Sequence, residues 1–183
     1  MTRPLVAFQG EVGAFSEDAI EKFFGPSTVT SVPHGSFDDV VTAVVNGRTD
    51  YGIIPVENVI AGVIVDAERA IEASDLRTIG EVAIPIEQCL LAVPRTRLED
   101  VSKVLSHPAA LAQCRKFFSL HSEMEAVAVG DTAGAAREVA HAGDRAVSAI
   151  AARRAATIYG LDVLAVGIQD DVENKTRFVV LVR

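Results

Sequence analysis

The sequence predicts an α/β fold organised as two lobes. Short β-branched runs alternate along the chain with alanine-rich stretches of helical periodicity, as strands and helices do in an α/β protein. A long extended run over residues 78–93 interrupts this alternation, and we interpret it as the segment that carries the chain between lobes. The length of 183 residues suits one ordinary domain or two small lobes.

Local signals predict each element in order. Ser16 and Ser36 each offer a side-chain oxygen where a helix begins, with acidic residues in the first turn. Gly25-Pro26 ends the first of these helices. Because strands alternate with helices, we expect parallel sheets with ligands at the carboxyl ends of the strands. The predicted strands are 5–8, 28–32, 51–56, 104–106, 126–129, 146–150, 163–168 and 177–182, and the predicted helices are 16–24, 36–45, 65–73, 109–120, 132–142 and 151–159.

Charge and composition argue against several classes of function. Asp and Glu number 25 against 17 Lys and Arg, and a net charge of -8 disfavours nucleic acid or anionic lipid as a ligand. No apolar stretch approaches the ~20 residues that span a bilayer, and the first ten residues hold no apolar core of a signal peptide. Cys89 and Cys114 lack CxxC spacing and suit a reducing cytoplasm, where we expect them to be small core residues.

Two segments at strand ends contain residues suited to binding an anion or a polar group. The turn Gly10-Glu11-Val12-Gly13-Ala14-Phe15-Ser16 joins a strand to a helix, so its backbone N–H groups suit an anion, and a tight structural turn explains the same pattern. Pro55-Val56-Glu57-Asn58 ends a hydrophobic strand. Asn58 suits a hydrogen bond to a carboxylate or hydroxyl, and the alternative is that Glu57 and Asn58 satisfy loop backbone.

Three further segments place chemistry-bearing side chains at junctions. His107 in Ser106-His107-Pro108 has the chemistry of a base. The alternative interpretation is a structural histidine that packs in the protein interior. Asp131-Thr132 opens a helix, where the hydroxyl either meets a ligand or caps the helix. In Asn174-Lys175-Thr176-Arg177-Phe178, alternation places Thr176 and Phe178 on one face and Arg177 on the other. This arrangement suits a ligand at Thr176 and a carboxylate at Arg177, although an exposed strand edge is the default interpretation of the residues alone.

These five segments, in this order and over nearly the whole chain, resemble the catalytic domain of prephenate dehydratase. They are most similar to the branch that includes plant arogenate dehydratases. Two further matches, Ala112-Gln113-Cys114 and Tyr159-Gly160-Leu161, complete the ordered series.

The resemblance implies a two-lobed α/β fold like that of type II periplasmic binding proteins, with the active-site cleft between the lobes. The first lobe would comprise residues 1–78 and 171–183, and the second residues 79–170. The implied reaction is that of a lyase in L-phenylalanine biosynthesis, in which prephenate loses carbon dioxide and water to give phenylpyruvate without cofactor or metal. A cytoplasmic homodimer acting on a small molecule, with no nucleic-acid or membrane partner, is expected.

The resemblance also assigns roles to residues of this chain. Thr176 in the Thr-Arg-Phe motif is expected to be the catalytic residue. The expected substrate-binding residues are Gly10, Gly13, Ser16, Glu57, Asn58, Thr132, Arg177 and Phe178.

The sequence departs from the family pattern at identifiable places. Val59 and Ala152 stand where the family usually has a hydroxyl residue, and the sequence stops at Arg183, where most members continue into a phenylalanine-binding ACT domain. We therefore expect no allosteric inhibition by phenylalanine in this chain. The alternatives kept open are an arogenate dehydratase, a prephenate decarboxylase that does not aromatise its product, and a non-catalytic binding protein for small acids.

Overall fold

A computed structural model describes residues Thr2–Arg183. In chain order its elements are β1 (Leu5–Gln9), α1 (Phe15–Phe24), β2 (Thr30–His34), α2 (Phe37–Val45), β3 (Tyr51–Asn58), β4 (Gly62–Val63), α3 (Val65–Glu72), β5 (Arg77–Pro85), β6 (Cys89–Ala92), a 3₁₀ turn (Leu98–Asp100), β7 (Lys103–Ser106), α4 (Pro108–Ala112), α5 (Arg115–Leu120), β8 (Glu125–Ala128), α6 (Thr132–Ala142), β9 (Val147–Ala151), α7 (Arg153–Tyr159), β10 (Asp162–Val166) and β11 (Lys175–Val182). The expected α/β class is confirmed.

The described residues divide into two compact units. The first unit contains the residues up to Gly10 together with Phe15–Pro85 and Lys175–Arg183, and the second contains Glu11–Ala14 and Ile86–Asn174. The boundaries differ from the expected 78/79 and 170/171 because β5 pairs with β11 along its whole length, from Arg77 opposite Val182 to Pro85 opposite Lys175. The extended run therefore contributes one strand to each unit, β5 to the first and β6 to the second.

The sheet of the first unit is mixed, not parallel as expected. Its strand order is β2-β1-β3-β11-β5, with β4 paired to β3. β1 runs parallel to β2 and β3, whereas β11 runs antiparallel to both β3 and β5. The alternation of strands and helices predicts parallel pairing only for strands joined by a helical crossover. β11 instead returns to this unit after the chain has passed through the second one, so that rule does not govern it.

Two predicted elements of the first half of the chain are displaced or divided. The second strand begins at Thr30, not at residue 28, because the Thr28 hydroxyl donates to the carbonyls of Phe24 and Gly25 at the end of α1. The extended run over 78–93 is two strands separated by residues 86–88.

The sheet of the second unit is also mixed. Its order is β10-β6-β9-β7-β8, in which β7, β8 and β9 are parallel and β6 is antiparallel to β9 and β10. The single helix expected over 109–120 is divided into α4 and α5. The division is stabilised by Asp170, whose carboxylate accepts hydrogen bonds from the N–H groups of Arg115 and Lys116 at the start of α5.

The hydrophobic cores lie where helices pack on these sheets. In the first unit α2 and α3 pack on β3, and in the second unit α6 packs on β9. Among residues Thr2–Arg183, the helices are all too short or too polar to span a bilayer.

Gly52 on β3 sets how closely α2 approaches the first sheet. A Cβ at this position would lie 3.0 Å from Cγ2 of Val44 and 3.2 Å from Cγ1 of Val40, two side chains that are fully buried. We expect Gly52→Ala to lower the free energy of unfolding by about 1–3 kcal/mol, because the added methyl overpacks this contact. Urea denaturation measures the change.

Gly35→Ala in the same unit is the matched control. Its Cβ would lie 3.6 Å from Oδ2 of Asp39, an ordinary contact, so we expect a change within about 0.5 kcal/mol. Equal losses in the two variants would contradict the packing argument.

Candidate functional site

The carboxyl edge of the first sheet collects several of the predicted site residues. β1, β2 and β3 are parallel and end at this edge with Gln9, His34 and Asn58. β11 is antiparallel to β3, so it begins at the same edge, with Thr176 directly opposite Asn58. The edge where α/β proteins bind ligands therefore carries both the residue expected to be catalytic and one expected to bind substrate.

Asn58 and Thr176 form a buried hydrogen-bonded pair. Nδ2 of Asn58 donates to Oγ1 of Thr176 at 2.9 Å, and each residue is 7% exposed. The same Nδ2 donates to the carbonyl oxygen of Lys175 at 3.1 Å. Because the Thr176 oxygen accepts this bond, its own hydroxyl proton is directed away from Asn58.

The opposite end of the Asn58 amide holds the loop that follows β3. Oδ1 accepts hydrogen bonds from the N–H groups of Ile60 and Ala61, each at 3.0 Å. The N–H of Val59 donates to the carbonyl of Lys175 at 3.0 Å. Asn58 thus satisfies loop backbone, the alternative role considered from the sequence, while the Val59 side chain remains 63% exposed.

Arg177 lies on the other face of β11, as the strand alternation predicts. Its guanidinium is paired with Glu57 at 3.1 Å and with Glu81 at 3.3 Å. The hydrogen bond to Glu57 raises the pKa of Arg177 above its ordinary value, and the Glu81 charge adds to this effect. The expected pairing of Arg177 with a carboxylate is therefore present. Glu81 has no local sequence signal, because only the pairing of β5 with β11 brings it to Arg177.

Phe178 is a core residue at the base of this site. Its ring is 2% exposed, on the same strand face as Thr176. The β3–β11 register shifts between Arg177 and Phe178, which oppose Glu57 and Pro55, so Val56 is the extra residue of a bulge. Phe178 is therefore a core residue in this conformation, and its expected role in substrate binding stays a prediction.

The N-terminal turn begins with a backbone hydrogen bond that engages the N–H of Gly10. The N–H of Gly10 (φ 117°) donates to the carbonyl of His34 at 3.0 Å, so it is not available to an anion in this conformation. Ser16 lies in the first turn of α1 and is 7% exposed. Because α1 begins just after β1 ends, Ser16 lies near the carboxyl edge of the sheet. The N–H of Gly10, which was expected to bind an anion, is hydrogen-bonded to His34 instead.

Gly13 belongs to the second unit, where it packs against α7. A Cβ on Gly13 (φ 96°) would lie 3.2 Å from Cβ of Ala155. The turn is held in this unit by the Tyr159 hydroxyl, which donates to the carbonyl of Val12 at 2.6 Å, and by the ion pair of Glu11 with Arg137 at 2.8 Å. These contacts account for the glycine by close packing.

Thr132 is the first residue of α6 in the second unit, and the residue that caps this helix is Asp131. The Asp131 carboxylate accepts a hydrogen bond from the N–H of Gly134 at 2.6 Å. Thr132 is half-buried and is not the cap, so N-capping does not explain its hydroxyl. Its expected role in substrate binding stays a prediction.

His107 and the two cysteines have structural environments. Nδ1 of His107 accepts from the N–H of Ala109 at 3.2 Å at the start of α4, so this histidine caps a helix on the surface and is not packed in the core. Cys89 and Cys114 are fully buried free thiols, as expected of core residues. Burial raises the pKa of Cys114 to about 12, with the Asp170 charge adding, and burial with the charge of Glu87 raises the pKa of Cys89. Neither thiol is poised to act as a nucleophile.

Comparison with known proteins identifies the family. The model of the prephenate dehydratase family matches residues 6–183. The chain belongs to this family. An arogenate dehydratase/prephenate dehydratase of Arabidopsis thaliana is 42% identical over 97% of the chain, and a Petunia hybrida arogenate dehydratase is also 42% identical over 97% of it. The chain spans 43% and 42% of the lengths of these two relatives.

Two solved structures have the same fold as this chain. The prephenate dehydratase of Arthrobacter aurescens, solved in complex with L-Phe, has a TM-score of 0.90 and 30% identity, covering 98% of this chain and 60% of that one. A structure described as GqqA, a novel type of quorum quenching acylase, has a TM-score of 0.88 and 32% identity, covering 98% of this chain and 64% of that one.

Val59 and Ala152 are the two positions where the family resemblance leads us to expect a hydroxyl residue. Ala152 is 1% exposed and occupies the N-cap of α7, where the described residues supply no side-chain capping bond. A serine there has the position of a helix cap, so the loss of this hydroxyl bears on helix stability. Val59 instead adjoins the Asn58–Thr176 pair, so this departure bears on the site.

The contrast between Asp131 and Thr132 is testable in this family member. We expect Asp131→Ala to lower the free energy of unfolding by about 1 kcal/mol, because it removes the N-cap of α6. Thr132→Val should change it by less than about 0.5 kcal/mol, since the hydroxyl does not cap the helix. Urea unfolding of both variants checks this, and a larger loss in the Thr132 variant would show that the cap has been misassigned.

Proposed function

We propose that this chain is the catalytic part of a prephenate dehydratase, which converts prephenate to phenylpyruvate, carbon dioxide and water. The observation that carries the proposal is the Thr176 hydroxyl at the carboxyl edge of the sheet, accepting a hydrogen bond from Asn58 and keeping its own proton to donate. Family membership supports the lyase class. Fold likeness alone does not assign the reaction, because a protein described as an acylase shares the fold.

The reaction is an elimination across the ring of prephenate. The bond between the ring carbon and its carboxylate breaks, and carbon dioxide leaves. The electron pair of that bond moves through the ring, the carbon–oxygen bond of the ring hydroxyl breaks, and the departing hydroxide takes a proton to become water. The ring becomes aromatic, which supplies the driving force.

Thr176 is proposed to stabilise the departing oxygen. Negative charge develops on that oxygen in the transition state, so a hydrogen bond from the Thr176 hydroxyl strengthens as the reaction proceeds. An ordinary threonine hydroxyl is a poor proton source, and we therefore assign it a hydrogen bond without proton transfer. The proton that completes the water molecule comes from solvent.

The surroundings of Thr176 suit the other half of the reaction. Thr176 and Asn58 are each 7% exposed, and Thr176 lies on the same strand face as the buried Phe178. A carboxylate moved from water to such surroundings loses hydration, which favours its departure as neutral carbon dioxide. We propose that the N-terminal turn of α1, which carries Ser16, supplies N–H groups for a substrate carboxylate, since a chain with a net charge of -8 must concentrate its donors locally.

An assay with two substrates tests this function. We expect the purified chain to convert prephenate to phenylpyruvate, followed by the absorbance of the product in alkali. Arogenate, which differs by an amino group in place of the keto group, is the second arm, and formation of phenylalanine measures it. A higher kcat/KM on arogenate would make this chain an arogenate dehydratase, a non-aromatic decarboxylated product would make it a decarboxylase, and no turnover of either substrate would contradict the proposal.

Thr176→Val tests the catalytic role. Valine keeps the shape and β-branching of threonine, so the change isolates the hydroxyl. We expect kcat on prephenate to fall by about 10²–10³, with a much smaller change in KM, because the lost contact acts in the transition state.

Thr176→Ser is the matched control and should retain much more of the activity, since it keeps the oxygen. Melting curves establish that both variants are folded. Turnover by the Val variant within a few-fold of the parent would exclude a catalytic hydroxyl at this position.

We also propose that the protein acts as a homodimer in the cytoplasm. Two buried free thiols support a reducing compartment, although several relatives have names that place them in chloroplasts. Sedimentation of the purified chain measures the oligomeric state.

A further inference from the structure

We infer that Asn58 is a positioning residue, which sets the direction of the hydrogen bond that the Thr176 hydroxyl donates and does not itself bind the substrate. The inference rests on the proposed function, because it assigns Thr176 the donor role in the elimination. It replaces the substrate-binding role that the sequence predicts for Asn58.

The hydrogen-bonding capacity of Asn58 is taken up within the protein. A primary amide has two N–H donors and an oxygen that accepts two hydrogen bonds. Nδ2 donates to Oγ1 of Thr176 and to the carbonyl of Lys175, and Oδ1 accepts from the N–H groups of Ile60 and Ala61. A substrate group would have to displace one of these four partners to bind Asn58.

The surrounding backbone also decides which end of the amide faces Thr176. The carbonyl of Lys175 can only accept a hydrogen bond, and the N–H groups of Ile60 and Ala61 can only donate. Rotating the amide by 180° would place Oδ1 against the carbonyl oxygen of Lys175 and Nδ2 against the N–H groups of Ile60 and Ala61. Only the assigned orientation therefore satisfies all three backbone groups.

This orientation of the Asn58 amide restricts the directions in which the Thr176 hydroxyl can donate a hydrogen bond. The N–H of Asn58 occupies one acceptor site of Oγ1, so the hydroxyl cannot donate in that direction. Its one proton is left for another acceptor, and under the proposed function that acceptor is the departing ring oxygen. Accepting a hydrogen bond also polarises the hydroxyl and strengthens it as a donor.

The flanking charges lie on the opposite face of the sheet. Glu57 precedes Asn58, and Lys175 and Arg177 flank Thr176, so strand alternation directs these three side chains away from the pair. Arg177 is engaged with Glu57 and Glu81 on that face. A carboxylate introduced at position 58 would therefore lack a neighbouring cation on its own face among these flanking residues.

Asn58→Asp replaces the Nδ2 donor that faces Thr176 with an acceptor oxygen and keeps the shape of the side chain. One oxygen of the new carboxylate still accepts from Ile60 and Ala61, whereas the other faces Thr176 and draws the hydroxyl proton onto itself. At slightly alkaline pH we expect kcat on prephenate to fall by about 10²–10³, matching Thr176→Val, with KM nearly unchanged.

The pH profile distinguishes a positioning role from a merely structural one. The new carboxyl is buried beside the Lys175 carbonyl, which favours its protonated form, and a protonated carboxyl again donates to Thr176. Relative to the parent at each pH, kcat of Asn58→Asp should therefore rise as the pH falls. Asn58→Ala has no group to protonate, so its kcat relative to the parent should stay low at every pH.

A double variant measures the coupling of the two residues. If Asn58 acts through Thr176, adding Asn58→Asp to Thr176→Val should lower kcat little further, whereas independent roles would multiply the two losses. Multiplied losses overturn the inference, as does an Asn58→Asp variant whose KM rises more than about tenfold at unchanged kcat. Melting curves again establish that the variants are folded.

The side-chain amide resonances of Asn58 provide a readout that needs no turnover. In the ¹⁵N-labelled full chain, we expect Thr176→Val to shift the Asn58 Nδ2 protons, and prephenate added to the parent to leave them hydrogen-bonded and protected from exchange. Loss of that protection with prephenate would overturn the inference. A parent that turns over neither substrate, with these resonances behaving as expected, would instead contradict only the proposed function.

Discussion

The insertion of β11 between β3 and β5 is the constraint on which the candidate site depends. The strand pairs antiparallel on both sides, with Thr176 opposite Asn58 and Lys175 opposite Pro85. Since β3 ends where β11 begins, the last residue of one strand meets the first residues of the other. The pairing thereby joins two segments that are 118 residues apart in the chain.

The polar groups on the two faces of β11 differ in burial and in how they are paired. On one face, Thr176 and Asn58 are buried, and burying such groups is costly unless their hydrogen bonds are made. The amide of Asn58 meets this condition with four protein partners, whereas Thr176 accepts one hydrogen bond and keeps its hydroxyl proton. On the other face, Arg177 is 39% exposed, so its ion pairs add little stability but orient the guanidinium.

The contacts of each motif residue distinguish residues that stabilise the fold from residues that are candidates for catalysis. Gly10, Gly13 and His107 stand in segments that match the family, yet each has a local structural partner that accounts for it. Thr176 differs because its partner leaves the hydroxyl proton available. A matching motif therefore marks a region of the molecule, and the hydrogen bonds decide which of its members can react.

The sequence by itself determined the class of fold, most element positions and the segments that matter. Helix signals at Ser36 and Gly25 lie beside the observed helix ends, because capping depends on neighbours in the chain. Strand alternation placed Thr176 and Arg177 on opposite faces for the same local reason. The antiparallel direction of β11, the division of the helix by Asp170 and the pairing of Arg177 with Glu81 were decided only by the tertiary structure. Each of these depends on groups distant in the chain, and no local pattern of residues encodes which distant strand or carboxylate will be adjacent.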